Sequence, residues 1–549
     1  MKPKNTTAPY TPFDFQFPYS SQRMPVFARN VVATSQPLAA EAGLSMLRQG
    51  GNAMDAAVAA AMTLTVVEPT SNGIGADAFA LIWAGGGLHG LNASGHAARA
   101  MPEHYFEGKE RVPLRGWDPV TTPGAVSAWV EINERFGSLP WTTVAAPAIH
   151  YAREGFLVSP QTGAGWRSAA ARGYDREEFA EWHKTFAPDG RGPATGERFF
   201  MKHHADTLEE IAQTAGESFY RGALATRIAD AAEAHGGFLR KDDLAAHRAD
   251  WVRPISVDYH GFTLHEIPPN GQGLAALIML GILRHLDIEN LAVDSVESLH
   301  LQIEAMKLAF ADGHRYIADP AYMDVSVDDL LDDDYLTSRA GLVDPKSAQD
   351  FKHGTPKDGG TVYLTAADEH GNMVSYIQSN YSGFGSGVVI PGTGIAMQNR
   401  GGCFVTDRGH PNEAGPGKRP YHTIIPGFVT RKGDGGDGDD EPVMSFGVMG
   451  GYMQPQGHAQ VVLRIADYHQ NPQAALDAPR WQVTTGLNVI IEPGFDETVY
   501  EGLKAMGHEV RKARARTVSH GRGQIAWRLR HGEYLAASDL RSDGEAVGF

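Results

Sequence analysis

The chain has a single cysteine, Cys403, in 549 residues. One thiol excludes an internal disulfide framework and fits a reducing compartment. Long apolar runs are missing too. Met1-Lys2-Pro3-Lys4-Asn5-Thr6 leads into an arm rich in Phe, Tyr and Pro, with no run of signal-peptide length behind it. The most apolar helical stretch, 55–67, is short and is stopped by Glu68-Pro69, so it reads as a buried helix and not as a membrane span. A cytoplasmic protein with no membrane partner is the expectation. Basic charge is in short supply: 48 Lys and Arg against 65 Asp and Glu leave a net charge of −17. That argues against binding a nucleic-acid backbone or an anionic membrane surface. Common catalytic signatures are absent as well. There is no Gly-x-Ser-x-Gly elbow and no His-Glu-x-x-His, and no Gly-Lys-Ser/Thr follows the glycine-rich runs at 383–387 and 392–394. The 23 histidines show no metal spacing, and His203-His204 reads as surface.

What the chain does have is apolar bulk, 42% of its residues, enough for a large core. After Gly359-Gly360, the run Thr361-Val362-Tyr363-Leu364-Thr365-Ala366 alternates. Thr361, Tyr363 and Thr365 therefore share one face of a strand, and Val362, Leu364 and Ala366 the other. Asp368 to Asn372 is turn chemistry, and Met373 to Ile377 reads as the returning strand. A threonine at the head of such a strand, once released as a chain end, carries a nucleophilic hydroxyl and a basic amine on one residue. The same residues also suit an ordinary hairpin with a Gly-Gly entry. Elsewhere the pattern predicts a strand at 31–35, a helix opened by Pro37, a hairpin of 79–83 with 88–93, a helical middle from 127 to 260 and a strand at 262–265. An amphipathic helix is predicted over 296–318 with Asp294 and Glu297 as caps. Segment 166–200, rich in Arg, Glu and aromatics, reads as a surface excursion, and 443–465 as a second hairpin. Asp328 to Asp334 reads as a solvated helix end, and 352–360 as a loose linker. The acidic loop 431–441 lacks the spacing and terminal glutamate of a calcium loop.

Gly50-Gly51-Asn52-Ala53-Met54-Asp55-Ala56 matches, at every fixed position, the Gly-Gly-Asn-Ala-x-Asp-Ala signature of the gamma-glutamyltransferase (glutathione hydrolase) family of N-terminal-nucleophile hydrolases. Glu68 to Phe79 resembles that family's glycine-rich turn, with Ala76 and Asp77 in place of glycines. Val120 to Val126, Pro268 to Gly273 and Glu304 to Asp312 are similar to further family elements, and Gly360-Thr361 to its processing site. The resemblance implies an α+β fold, a four-layer αββα sandwich. It implies cleavage into a large subunit, 1–360, and a small subunit, 361–549, which stay one globular unit. Thr361 would be the nucleophile, Ser379 the hydroxyl that orients it, and Gly450 and Gly451 the oxyanion hole. This chemistry needs no metal and no organic cofactor. The implied reaction hydrolyses or transfers the acyl group of gamma-glutamyl amides such as glutathione, with a small acyl amide as donor and water or an amine as acceptor.

The resemblance weakens around the substrate. The place of a binding arginine falls on Asn92-Ala93-Ser94-Gly95-His96, and the acid that would meet a substrate ammonium is Cys403. Arg400 stands where an uncharged or acidic residue is usual, His422-Thr423 replace paired serines, and Tyr381 replaces an asparagine. Tyr381, Arg400, Cys403, His422 and Thr423 are thus the candidate substrate-binding residues. Loss of the acid and gain of Arg400 favour an acyl group without an amine, such as the dicarboxylic monoacyl groups of cephalosporin-acylase-like members. The short segment 404–420 implies an open site without a lid. A binding protein that keeps the fold without turnover is the reading from another class, and the retained Thr361, Ser379 and Gly450-Gly451 argue against it.

Overall fold

The computed structural model of the protein describes residues 18–20, 23–172, 174–351, 360–433 and 440–549. Its described residues build two seven-stranded antiparallel sheets. One runs, edge to edge, through Glu545–Gly548, Val31–Thr34, Gly360–Ala367, Met373–Tyr381, Asp77–Ala84, Gly87–Asn92 and Asp250–Val252. The other runs through Val26–Ala28, Tyr534–Ser538, Arg522–Arg528, Asp440–Met449, Gly427–Lys432, Phe262–Glu266 and Ile255–Tyr259. The alternation after Thr361 sorts as a period of two requires. Tyr363 enters an apolar layer between the sheets with Phe79, Leu81, Ile377, Phe428 and Tyr534. Val362, Leu364 and Ala366 face the helices instead, in a layer with Pro37–Arg48, Ala53–Val67 and Ala125–Phe136. A third apolar layer joins the outer face of the second sheet to Gly273–Leu283, Val296–Tyr316 and Met453–Ala466. Three apolar layers between four layers of structure make the αββα sandwich.

The family signature at 50–56 has a local purpose. Asn52 caps the helix Ala53–Val67 through Met54 and Asp55 N–H, while Asp55 reaches back to Asn52 N at 3.0 Å, a reciprocal capping box. The helix therefore starts two residues before the expected Asp55. Over Val296–Tyr316 the cap is Ser295, whose hydroxyl accepts from Ser298 N, and not Asp294 or Glu297. Asp294 instead pairs with Arg464 at 2.6 Å. The acidic stretch 328–334 lies at two helix starts, where Ser326 and Asp329 form a capping box and Asp332 caps the next helix.

Four expectations are corrected. Only the first half of 443–465 is strand, since Met453–Ala466 is a helix. Segment 166–200 is no surface excursion at its aromatics: Trp166, Trp182 and Phe186 are buried against Phe384. His204 is buried, with Nε2 3.1 Å from Thr65 Oγ1 and Nδ1 3.2 Å from the Gly394 carbonyl, and burial drives its pKa down to about 4. Finally, the fold gathers histidines that sequence spacing keeps apart: ligand atoms of His300, Glu304 and His508 lie within 4.8 Å of one another. The Lys307 ammonium sits among them, 2.7 Å from Glu304 Oε1 and 3.3 Å from His508 Nδ1, so the chain supplies its own cation there. The linker 352–359 and the tip 434–439 of the acidic loop lie outside the described residues.

Candidate active site

Thr361 lies where its strand stops being regular. The pairing of Gly360–Ala367 with Met373–Tyr381 shifts register between Gly360 and Val362. This frees the Thr361 side chain from a plain ladder position and aims it between the sheets. Thr361 is fully buried, and its hydroxyl donates to Ser379 Oγ at 3.2 Å. The Ser379 oxygen also accepts from Tyr381 N at 2.7 Å. Tyr381 takes a left-handed backbone, φ 77°, which a bulky side chain adopts only under such restraint. Gln454 Nε2 approaches Thr361 Oγ1 at 3.5 Å from the opposite sheet's side.

Gln454 lies in the first turn of the helix Met453–Ala466, just beyond the turn that follows the strand Asp440–Met449. There Gly450 (φ 148°) and Gly451 (φ 59°) reverse the chain into the helix Met453–Ala466. The Gly451 carbonyl accepts from Gln272 Nε2 at 2.8 Å and from Gln454 N at 3.2 Å, which fixes the peptide planes of the turn. Among the described residues neither the Gly450 nor the Gly451 N–H meets an acceptor. Two unspent backbone donors beside a buried hydroxyl are what an oxyanion needs.

The five candidate substrate residues come together on the other side of Ser379. Arg400 is fully buried, stacks over the Tyr381 ring at 4.9 Å, donates to Thr423 Oγ1 at 2.7 Å and lies 4.0 Å from Cys403 Sγ. Among the described residues its Nε and its other terminal nitrogen have no hydrogen-bond partner. Burial pushes the Cys403 thiol up, against the pull of Arg400, so it stays a neutral thiol. The expectation that this pocket lost its carboxylate needs correction. Asp77, directly across from Ser379 in the sheet, is buried here and accepts from His422 Nε2 at 3.1 Å and from Gly124 N at 3.1 Å. Ile424 N–H points at His422 Nδ1 at 3.4 Å, which leaves the imidazole proton on Nε2. Burial pushes Asp77 up to about 7, against the pull of Arg400 and the N–H groups of Gly124 and Gly95. Burial and then Arg400 hold His422 well below its ordinary value, so it is the neutral imidazole.

A row of polar groups thus crosses three neighbouring strands: Thr361, Ser379, Asp77. With strands about 4.8 Å apart, the Asp77 end lies roughly 10 Å from the threonine. Asn92 and Ser94 extend the row, with Asn92 Nδ2 donating to Asn270 Oδ1 at 2.9 Å and Ser94 Oγ donating to Asn92 Oδ1 at 2.7 Å. Beyond Tyr381, Cys403 and Tyr452 a cavity of about 450 Å³ opens, walled in part by Phe404, His410 and Asn412. The threonine itself is therefore enclosed, and the opening lies to one side. Sequence reasoning passed over Gln272, Gln454 and Asp77. Only Asp77 left a signal, a charge at the head of the apolar strand Asp77–Ala84.

Among the described residues no helix is long and apolar enough to cross a membrane. The chain is 50% identical to a cephalosporin acylase from Bacillus halodurans of known structure, with a TM-score of 0.92 over 98% of this chain and 99% of that one. It is 34% identical to the glutathione hydrolase-like YwrD proenzyme of Bacillus subtilis, covering 95% of this chain and 98% of that protein. It is 35% identical to the oxamate amidohydrolase proenzyme of Klebsiella pneumoniae, covering 93% and 97%. The gamma-glutamyltranspeptidase family model matches residues 39–549, and with the sandwich and a Thr361 site enclosed between its sheets the chain belongs to that family.

Proposed function

We propose that the chain is the precursor of a self-processing amidase whose nucleophile is Thr361 and whose acyl substrate ends in a carboxylate. In the precursor the Thr361 hydroxyl adds to the Gly360 carbonyl carbon, the peptide C–N bond breaks, and the resulting ester takes up water. The products are a carboxylate on Gly360 and a free amine on Thr361, dividing the chain into 1–360 and 361–549. In the mature enzyme that amine takes the hydroxyl proton as Oγ adds to a substrate amide carbon, then delivers it to the leaving amine. Ser379 orients the hydroxyl, and the N–H groups of Gly450 and Gly451 receive the oxyanion. Water or a second amine takes the acyl group in turn.

The observation that carries the acyl preference is Arg400. A buried guanidinium with two unpartnered nitrogens is costly unless a ligand completes it, and a carboxylate matches it in charge and shape. A cephalosporin acylase and an oxamate amidohydrolase among the relatives are in keeping with an amide substrate. Asp77 favours a second reading. Its carboxylate could meet an ammonium, so a gamma-glutamyl group, as in the glutathione hydrolases of the family, remains the competing substrate.

Two measurements test this. Intact mass should show two chains meeting at Gly360/Thr361, and one uncut chain for Thr361→Ala. On anilides of succinate, glutarate, adipate and gamma-glutamate, an amine-free diacid should be turned over fastest. A gamma-glutamyl preference would reverse the acyl assignment while leaving the nucleophile in place.

A further inference from the structure

The carbonyl of Thr361 is held by a charged side chain and not by a strand. Its own strand meets Val31–Thr34 only from Leu364 onward, and on the other side the register shifts between Gly360 and Val362. Into that gap Arg522 donates one terminal nitrogen to the Thr361 carbonyl oxygen at 2.8 Å. Its other terminal nitrogen donates to Glu68 Oε1 at 2.7 Å, and Glu68 Oε2 accepts from Ser35 Oγ at 2.5 Å. Glu68 and Arg522 are both buried. Arg522 is also the register partner of Met449, the residue before Gly450, and Gly521 packs against Gly450 so closely that a Cβ there would meet the Gly521 Cα at 3.1 Å. One guanidinium thus touches the nucleophile's own backbone, borders the oxyanion turn, and anchors on the turn after the helix Ala53–Val67.

We propose that Arg522, braced by Glu68, is a positioning residue that keeps Thr361 in register with the Gly450-Gly451 turn once Thr361 has become a chain end. This rests on the self-processing reading above. Before the cut, Thr361 is restrained by covalent bonds on both sides. After it, the residue that must act as both base and nucleophile is a terminus, and termini fray unless tied down. The tie here is a charge-assisted hydrogen bond to the one Thr361 backbone group that survives the cut unchanged. It also crosses the cut, because Glu68 belongs to 1–360 whereas Arg522 and Thr361 belong to 361–549. Near-attack geometry is sensitive to displacements of about 1 Å, so loosening this tie acts on turnover more than on substrate capture.

The test uses the full-length protein with Arg522→Lys, Arg522→Met, Glu68→Gln and the double variant Glu68→Gln/Arg522→Met. Cleavage is followed by intact mass, folding by thermal melting, and kcat and KM are measured on cleaved material. The expected result is a kcat roughly 100-fold lower in Arg522→Met with KM within about threefold, partial rescue by Arg522→Lys, and a smaller kcat loss in Glu68→Gln. The double variant should be no worse than Arg522→Met, because Glu68 acts through Arg522. Unchanged kcat in Arg522→Met overturns the proposal. So does a loss of kcat in Arg522→Lys and Glu68→Gln that only follows a fall in Tm. Should Arg522→Met fail to fold, those two milder variants decide on the same criteria. A wild-type chain that never cuts refutes the self-processing reading instead, which keeps the two failures apart.

Discussion

Asp77 is a carboxylate placed where its surroundings disfavour charge. With a folded pKa of about 7 against an ordinary value near 3.8, the folded protein takes up a proton that the unfolded chain releases. Its contribution to stability is therefore complete below about pH 4 and is lost as pH rises through 7. A shift of this size is worth on the order of 2–4 kcal/mol at most. Chemical denaturation of Thr361→Ala, which stays one chain, should show falling stability from pH 5 to pH 8, and adding Asp77→Asn should remove most of that slope. Identical slopes would place the titration elsewhere. Arg400 makes the second prediction at this scale. Arg400→Met should lower kcat/KM for diacid amides about 30-fold, as for loss of a hydrogen bond to a charged group, and should spare amides of simple fatty acids. An equal loss on both would make Arg400 structural. Thr361, Ser379, Gly450 and Gly451 were named from the resemblance of their segments to the family's, and the residues alone suit a hairpin and a tight turn. The Asp77–His422 pair was not legible, since 345 positions separate its members and only the sheet brings them together.

Elements were read well where the signal is local and badly where partners lie far away. The hairpin after Thr361 could be read from alternation and turn residues alone, and across that turn Ala367 pairs with Met373. The helix Met453–Ala466 could not, because it is buried all round and polar residues interrupt its apolar ones. His458 pairs with Glu266 at 2.7 Å, Gln456 accepts from Val483 N at 2.7 Å and Gln460 donates to the Trp481 carbonyl at 3.0 Å. Interleaved with buried apolar residues, these polar groups hide the helical period in the sequence. Packing between the sheets is close where Gly447 faces Tyr363. A Cβ on Gly447 would sit 2.4 Å from the ring, whose hydroxyl is fixed 2.8 Å from Ser375 Oγ. Gly447→Ala should therefore cost about 1–3 kcal/mol and, because Tyr363 is two residues from Thr361, slow the cut. A melt and a cleavage time course check both, and an unchanged time course would uncouple packing from processing.

For the whole molecule, the order of strands matters more than their number. Gly360–Ala367 and Met373–Tyr381 lie side by side in the middle of their sheet, flanked by Val31–Thr34 and Asp77–Ala84 from the part before the proposed cut. The two products of that cut would share one core and should not separate. Cleaved wild type should run as two bands under denaturing conditions and elute with uncut Thr361→Ala under native ones. Release of the smaller piece without denaturant would refute the shared core. This interleaving also changes what kind of equilibrium the protein has. Uncut, it folds by a first-order process that ignores dilution. Once cut, unfolding sets two chains adrift, and their reunion is second-order. The mature enzyme's melting point should rise with protein concentration while that of Thr361→Ala stays fixed. A cut before Thr361 would thus make the native state a species that dilution can dissolve for good, and the precursor the form that finds it alone.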